Sequence, residues 1–315
     1  MIFFITVLRA LAACLITNSH YTGIYPSDII ANGGLIGDII FFAVSGYCLY
    51  NVKENFIKWY GKRIIRCYVP VIIITCLYML TGFYTLDSHS LAWWLVYPTN
   101  YHFIASIVIL YIPYYFIIKT DFLRNKLPHL MLAVALAGLA VYCFFYDKSY
   151  YHIDTVREPF IRFLFMESML LGAWFRQKDQ VYRNKFSVLH VISVAVTFVL
   201  YFLSKTLFAK NAISSEIQIA NQVLIFLLLF AVFRLFIGID QKLDGIPKVF
   251  KRLIDFVAAI TLEIYVVQYV LIDLIRPLFG FPVNWIVLTG AIGLSAIILH
   301  YVSDFIVKRI LKIIH

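Results

Sequence analysis

The sequence predicts an all-α, polytopic membrane protein: a bundle of about ten transmembrane helices with both the N-terminus and the C-terminus cytoplasmic. Three observations carry this expectation. Of 315 residues, 62% are hydrophobic and 14% charged, with a mean hydropathy of +0.86, whereas soluble domains carry about 25% charged residues. Ten apolar stretches follow one another, roughly residues 2–19, 35–51, 67–84, 102–118, 129–146, 160–175, 187–204, 219–238, 256–275 and 284–303. The basic residues alternate in the way that orients such a chain. With the N-terminus inside, nineteen of the 27 Lys and Arg fall in cytoplasmic loops, and five (Lys148, Arg157, Lys205, Lys210, Arg276) fall in outer ones. The remaining three, Arg9, Arg162 and Arg234, lie within stretches. This is the positive-inside pattern. The net charge of +10 therefore reports topology and suits anionic lipid headgroups; no nucleic-acid partner is expected.

The first stretch lacks a basic leader and a small-residue cleavage site, so it is expected to be a retained span. Its only charge is Arg9, and an Arg near mid-bilayer costs about 2.5–3.5 kcal/mol. His20 follows eleven residues later. At 100° per residue a helix returns His20 to within about 20° of the Arg9 face, about 16 Å further along. The imidazole at the outer end is a natural general base for a hydroxyl. The outer loop 20–34 is rich in turn formers (Gly23, Pro26, Asn32, Gly33, Gly34).

In the second stretch Asp38 lies near the outer end, at a depth similar to His20, where a carboxylate can orient an imidazole. Ser45 and Gly46 allow close helix approach. Before the third stretch come Lys62, Arg63 and Arg66, with Pro70 at its start. Arg63 and Arg66 are one turn apart at the cytoplasmic surface, a spacing suited to clamping phosphates. The outer loop 147–159 mixes both charge signs with aromatic residues, which suits a sugar and equally suits a solvated loop. Arg162 and Glu167 in the sixth stretch are five apart and diverge; either can complete a core site with Arg9. Arg234 is expected to snorkel to headgroups, and Asp273 and Asp304 to face water at span ends. The five cysteines lie in or beside spans without metal-ligand spacing, so free thiols and no metal site are expected. The loops are short, and a single membrane domain covering 1–315 with no separate soluble domain is expected.

These residues resemble the membrane-bound acyltransferase-3 family of sugar and polysaccharide O-acyltransferases. Arg9 to His20 reproduces the family's Arg, ten residues, His spacing, and Asp38 to Tyr47 reads like its D-x-x-F-F-x-x-S-G-[FY] string. Lys62 to Pro70 is similar to its basic cluster before a proline. His102, Phe103 and Ile104 with Tyr111 and Pro113 are similar to its H-x-W-[FY]-[LI] segment, with Phe103 in place of Trp. Arg162 through Glu167 to Gly172 and Ala173 resembles its Arg-Pro-Phe to Leu-Gly helix, and Thr261 to Gln268, including Tyr265, resembles its late S-x-x-I-Y-L-x-H helix. Gln268 replaces the usual His and removes any proton-handling role there.

The resemblance implies a transmembrane O-acyltransferase, an O-acetyltransferase in the first instance, in the cell (plasma or inner) membrane. Acetyl-CoA or another acyl-CoA would be the donor substrate, with no permanently bound cofactor. The acceptor would be a surface or envelope glycan or its lipid-linked precursor. His20 would be the base, Asp38 its orienting partner and Arg9 the group that polarises the thioester carbonyl; Lys62, Arg63 and Arg66 would hold CoA, and Glu167, Arg162, His102, Tyr265 and Gln268 would support the site. A transporter or flippase of lipid-linked sugars and a non-catalytic envelope assembly partner remain as alternatives from the residues alone.

Overall fold

The computed structural model describes residues 2–97, 99–210 and 215–314. Positions 98 and 211–214, in two connections that the N-in orientation places outside (85–101 and 205–218), lie outside the described residues. All regular secondary structure among the described residues is helical. The long helices are α1 (Phe3–Ser19), α2 (Gly34–Cys48), α3 (Phe56–Leu80), α4 (His102–Lys119), α5 (Leu127–Phe145), α6 (Arg162–Gln177), α7 (Val188–Lys210), α8 (Ile219–Gly238), α9 (Lys248–Ala259), α10 (Thr261–Ile275) and α11 (Val283–Ile314). Each of the ten apolar stretches coincides with one of them, or with the α9–α10 pair.

Six of these helices, α3, α4, α5, α7, α8 and α11, are long and apolar enough to cross a membrane on their own. The chain is a multi-pass membrane protein. The α9–α10 pair meets the same test jointly but bends by 69°. At the bend the Thr261 hydroxyl donates to the Ala258 carbonyl at 3.0 Å, satisfying an acceptor that the interrupted ladder would leave open. Helices α1 and α2 have 17 and 15 residues. At 1.5 Å per residue they reach about 26 and 23 Å, short of a hydrocarbon core about 30 Å thick.

Two boundaries differ from expectation. Helix α3 starts eleven residues before its apolar stretch, because the Asn55 side chain caps it by accepting the Lys58 N–H at 3.0 Å. Lys62, Arg63 and Arg66 therefore sit on the helix itself, and Pro70 lies inside it rather than at its start. Helix α1 ends at Ser19, so His20 falls just beyond the last helical residue. Its N–H still bonds the Thr17 carbonyl at 3.1 Å, a tightened final turn that keeps the residue at the helix end.

The chain divides into two compact units. The first combines Met1–Arg9, Asp38–Val52 and Pro113–Lys251. Within it α2 meets α6, where the small-residue notch works as its composition suggests. A Cβ built on Gly46 would lie 1.9 Å from the Met169 carbonyl oxygen, and one on Gly172 would lie 1.8 Å from that of Ala43. Only glycine permits backbone to meet backbone this closely. Phe42 stacks on Phe165 with ring centroids 4.2 Å apart, and the Tyr114 hydroxyl donates to the Gly46 carbonyl at 2.5 Å.

The second unit combines Ala10–Gly37, Lys53–Ile112 and Arg252–His315. Here α3 and α10 are joined by the Tyr78 hydroxyl, which donates to the Val267 carbonyl at 2.8 Å. The loop after α1 is fastened to α11: Tyr21 and Thr289 share a hydrogen bond of 3.0 Å, and the Asn284 amide donates to the Ile24 carbonyl at 3.1 Å.

Candidate active site

In the second unit, His20 is half-buried at the end of α1 with its ring edge-on to Tyr269, centroids 5.0 Å apart. Tyr269 in turn contacts Tyr265 and Tyr101, each at 5.7 Å. Tyr101 is wholly buried; its hydroxyl donates to the Val266 carbonyl at 3.0 Å and lies 3.4 Å from that of Tyr84. Tyr84 stacks on Trp94 at 4.2 Å, and Trp94 meets Trp93 edge-on at 4.9 Å. Exposed His89 stacks on Trp93 at 3.7 Å. A continuous run of rings therefore leads from an exposed segment to His20. Tyr265, expected from the motif, accepts the Phe103 N–H at 3.4 Å, which ties α10 to the start of α4 beside His102.

Gln268 lies between Tyr265 and Tyr269 in sequence and has no exposed surface. Neither its carbonyl oxygen nor its amide nitrogen has a hydrogen-bond partner. Leaving a buried polar group unpaired costs about 1–3 kcal/mol.

The basic cluster of α3 divides into three roles. Lys62 is ion-paired with Glu54, and that hydrogen bond holds the Glu54 carboxyl below its ordinary value. Arg63 donates to the Trp59 carbonyl at 2.8 Å, and its guanidinium lies 4.2 Å over the buried Trp59 ring. Trp59 packs edge-on against Tyr111 of the expected motif at 5.7 Å. Arg66 is exposed and, among the described residues of its unit, carries neither an ion pair nor a hydrogen bond. One guanidinium is thus fixed by an aromatic and the next is open to an anion.

Arg9, Asp38, Arg162 and Glu167 belong to the first unit. Asp38 is buried on α2. Arg9 is half-buried, close enough to Cys48 for its charge to act there. Within that unit the structure gives Arg9 and Glu167 no ion pair with each other or with another described residue. Arg162 is the first residue of α6 and so sits at a helix end rather than inside a span. Arg234 donates to the Tyr182 carbonyl at 3.3 Å and lies 4.5 Å over that ring, beside the short helix Asp179–Tyr182. The loop 147–159 is fastened to its own unit, with Gln218 accepting the His152 and Ile153 N–H groups at 2.9 and 3.0 Å and Asp154 paired with Lys205. All five cysteines are free.

Sequence reasoning passed over two polar groups. In the first unit Arg183 bridges Asp179 and Asp240, the Tyr47 hydroxyl donates to Asp179 at 2.6 Å, and Asp240 accepts the Phe4 N–H at 3.0 Å. Asp240 thereby caps the start of α1, five residues before Arg9. In the second unit buried Glu263 meets His300 at 3.0 Å. Apart from the i,i+4 pair Asp179–Arg183, both networks join residues far apart in sequence; Asp240 and Phe4 are 236 residues apart.

A multi-pass chain, helical throughout its described regular structure, with a His at one helix end and a basic cluster on another has parts suited to a membrane transferase. The family model described as an acyltransferase domain, acyltransferase-3, matches residues 2–304. The chain belongs to the acyltransferase-3 family and is a membrane acyltransferase. No curated protein and no solved structure matches it.

Proposed function

We propose that this protein moves an acyl group, acetyl in the first instance, from cytoplasmic acyl-CoA to a hydroxyl of a cell-surface or envelope glycan or its lipid-linked precursor. The observation that carries this is the family match along 2–304, on a chain whose Arg9-to-His20 and Asp38-to-Tyr47 strings both lie within it. The ten helical segments cross the cell membrane as one domain with both termini inside, so that Arg63 and Arg66 lie at the inner face and His20 at the outer. The amphipathic helix α9 exposes Val249, Phe250, Leu253 and Phe256 beside Lys248, Lys251 and Arg252. Its sharp bend into α10 suits a helix lying along the inner headgroups.

Arg66 and the Trp59-backed Arg63 bind the CoA phosphates, and Lys62 joins them when Glu54 releases it. The pantetheine arm extends toward Arg9, whose charge polarises the thioester carbonyl. His20 takes the proton of the acceptor hydroxyl as that oxygen bonds to the carbonyl carbon. The C–S bond then breaks, the ester departs, and the proton leaves His20 for the CoA thiolate. Orientation of both substrates supplies much of the rate without a covalent enzyme intermediate. Arg162, Glu167 and His102 support the walls of this site.

Purified protein incubated with radiolabelled acetyl-CoA and candidate glycans tests the proposal. Label in ester linkage on the glycan is expected, and it is lost in a folded His20→Ala variant. Full activity of that variant removes His20 as the base; translocation of a lipid-linked sugar without labelling makes the protein a flippase.

A further inference from the structure

Gln268 carries a polar group that the fold of its own unit does not use. It sits on α10 with no exposed surface, and both ends of its carboxamide lack a partner. A leucine of nearly the same size would fill the position without that cost. The neighbouring helix repeats the feature: Thr75 of α3 is buried and its hydroxyl has no partner either. Thr75 lies one turn before Tyr78, whose hydroxyl reaches the Val267 carbonyl, the residue beside Gln268. On the other side of Gln268, Tyr269 presents its ring to His20. The unpartnered carboxamide thus lies next in sequence to the ring that meets the expected base, and the unpartnered hydroxyl lies on the helix that Tyr78 ties to Val267.

We propose that Gln268 is the residue that binds the acceptor, and that the acceptor presents a pyranose ring with adjacent free hydroxyls. A carboxamide offers a donor and an acceptor in one plane, which matches two neighbouring hydroxyls, each able to give and to receive. The neighbouring Tyr265 and Tyr269 rings suit the C–H faces of a sugar, and the largely buried run Tyr101, Tyr84, Trp94 and Trp93 connects them to the exposed His89. No charged group is required of the ligand at this point. Gln268 does not exchange protons; it fixes which hydroxyl faces His20, so it sets acceptor affinity and regiochemistry. This inference rests on the acyl-transfer reading.

The full-length protein in nanodiscs tests it, with methyl glycosides of glucose, galactose and mannose and their 2-, 3- and 4-deoxy forms as probes. Two readouts are taken, the glycoside-induced rise in Tm and the kinetics of labelling from acetyl-CoA. For wild type, at least one glycoside raises Tm and accepts label, and removing one hydroxyl of the recognised pair abolishes both. Gln268→Leu keeps or exceeds the wild-type Tm without ligand, loses the glycoside shift, and raises acceptor KM about tenfold or more with acetyl-CoA KM unchanged. Gln268→Asn, with the same amide on a shorter stem, falls between. A Gln268→Leu variant with wild-type acceptor KM overturns the inference and leaves acyl transfer standing. So does a rise in donor KM instead, which places the pantetheine amide at Gln268. Glycoside shifts that depend on Gln268 without labelling overturn acyl transfer to these sugars and leave the binding site standing. The absence of any glycoside effect on wild type overturns the inference.

Discussion

The contact of α2 with α6 gives a sharp quantitative test of the packing that holds Asp38 in its unit. An alanine at Gly46 would place its Cβ 1.9 Å from the Met169 carbonyl oxygen. Carbon and oxygen atoms do not approach much below about 3 Å, so the two helices must part by about 1 Å. Both contacting groups are backbone, and no side chain can rotate away. Overpacking of this kind costs about 3 kcal/mol, the upper part of the usual range. Alanine recovers about 1 kcal/mol through its helix propensity, leaving about 2 kcal/mol and a fall in Tm of about 4–8 °C. Gly172→Ala, whose Cβ would lie 1.8 Å from the Ala43 oxygen, should cost a similar amount. The double variant should cost less than the two together by at least about 1 kcal/mol, since helices parted by one methyl accommodate the other. Gly290 and Gly293 on α11 have open space where a Cβ would stand, so alanine there should leave Tm unchanged or raised. Thermal unfolding in detergent, followed by intrinsic fluorescence, reads the five variants against the wild type. Wild-type Tm in either single α2–α6 variant, or strict additivity in the double, would refute the backbone-contact argument.

Three further outcomes follow from the charged groups. Arg66→Ala should raise acyl-CoA KM about tenfold without changing Tm, because Arg66 is exposed and unpaired within its unit; Arg63→Ala should lower Tm as well, because its guanidinium covers Trp59. An equal donor KM in both variants and wild type, measured at low and high salt, would move the phosphates elsewhere. Glu54 has a lowered carboxyl pKa through Lys62, so the pair holds above that pKa and breaks as pH falls through it, freeing Lys62. Donor affinity should therefore rise on acidification in wild type, while Glu54→Gln should start with an affinity about two- to threefold higher and lack that rise; parallel pH profiles would count against the coupling. Asp240→Ala should cost about 1–3 kcal/mol by exposing the Phe4 N–H and part of Arg183, and Asp240→Asn should recover part of it because the amide oxygen still accepts from Phe4. Unfolding midpoints that do not separate the two variants would remove Asp240 as the cap of α1.

Local pattern made the helices readable, and long-range pairing decided what it could not. The apolar stretches coincide with helices, one of them with the bent α9–α10 pair, because an apolar segment placed in lipid must satisfy its own backbone. The Ser45-Gly46 notch was legible for a related reason, since small residues inside apolar helices have few other uses; its partner Gly172 was not. Boundaries were less so: α3 starts at Phe56 because one Asn caps it, and a polar cap lies outside any hydropathy window. The site was read in part. His20, Arg9, Arg63 and Arg66 stood out as costly charges or close spacings, whereas Tyr269 is one of 22 tyrosines in the chain. Only its contact with His20 distinguishes it. Asp240 is hidden in the same way, beside Phe4 in space and at the opposite end of the sequence.

The polar groups of each unit sort by whether the fold itself uses them, and that sorting separates support from chemistry better than residue type does. Asp179, Arg183, Asp240 and Tyr47 satisfy one another, as Glu263 and His300 do. Such groups offset their own desolvation, and removing one is a stability experiment. Gln268 and Thr75 are buried with nothing to bond, and Arg9 and Glu167 have no ion pair within their unit. A membrane protein has strong reason to replace groups of this second kind with apolar ones, because lipid supplies no compensating partner. Their retention is explained when a ligand supplies the missing partners during turnover. The prediction that separates the two classes is directional: apolar substitution in the first lowers Tm, and at Gln268 it preserves or raises Tm while removing ligand-induced stabilisation. A protein in which both classes lost stability alike would have its polar groups distributed by packing alone.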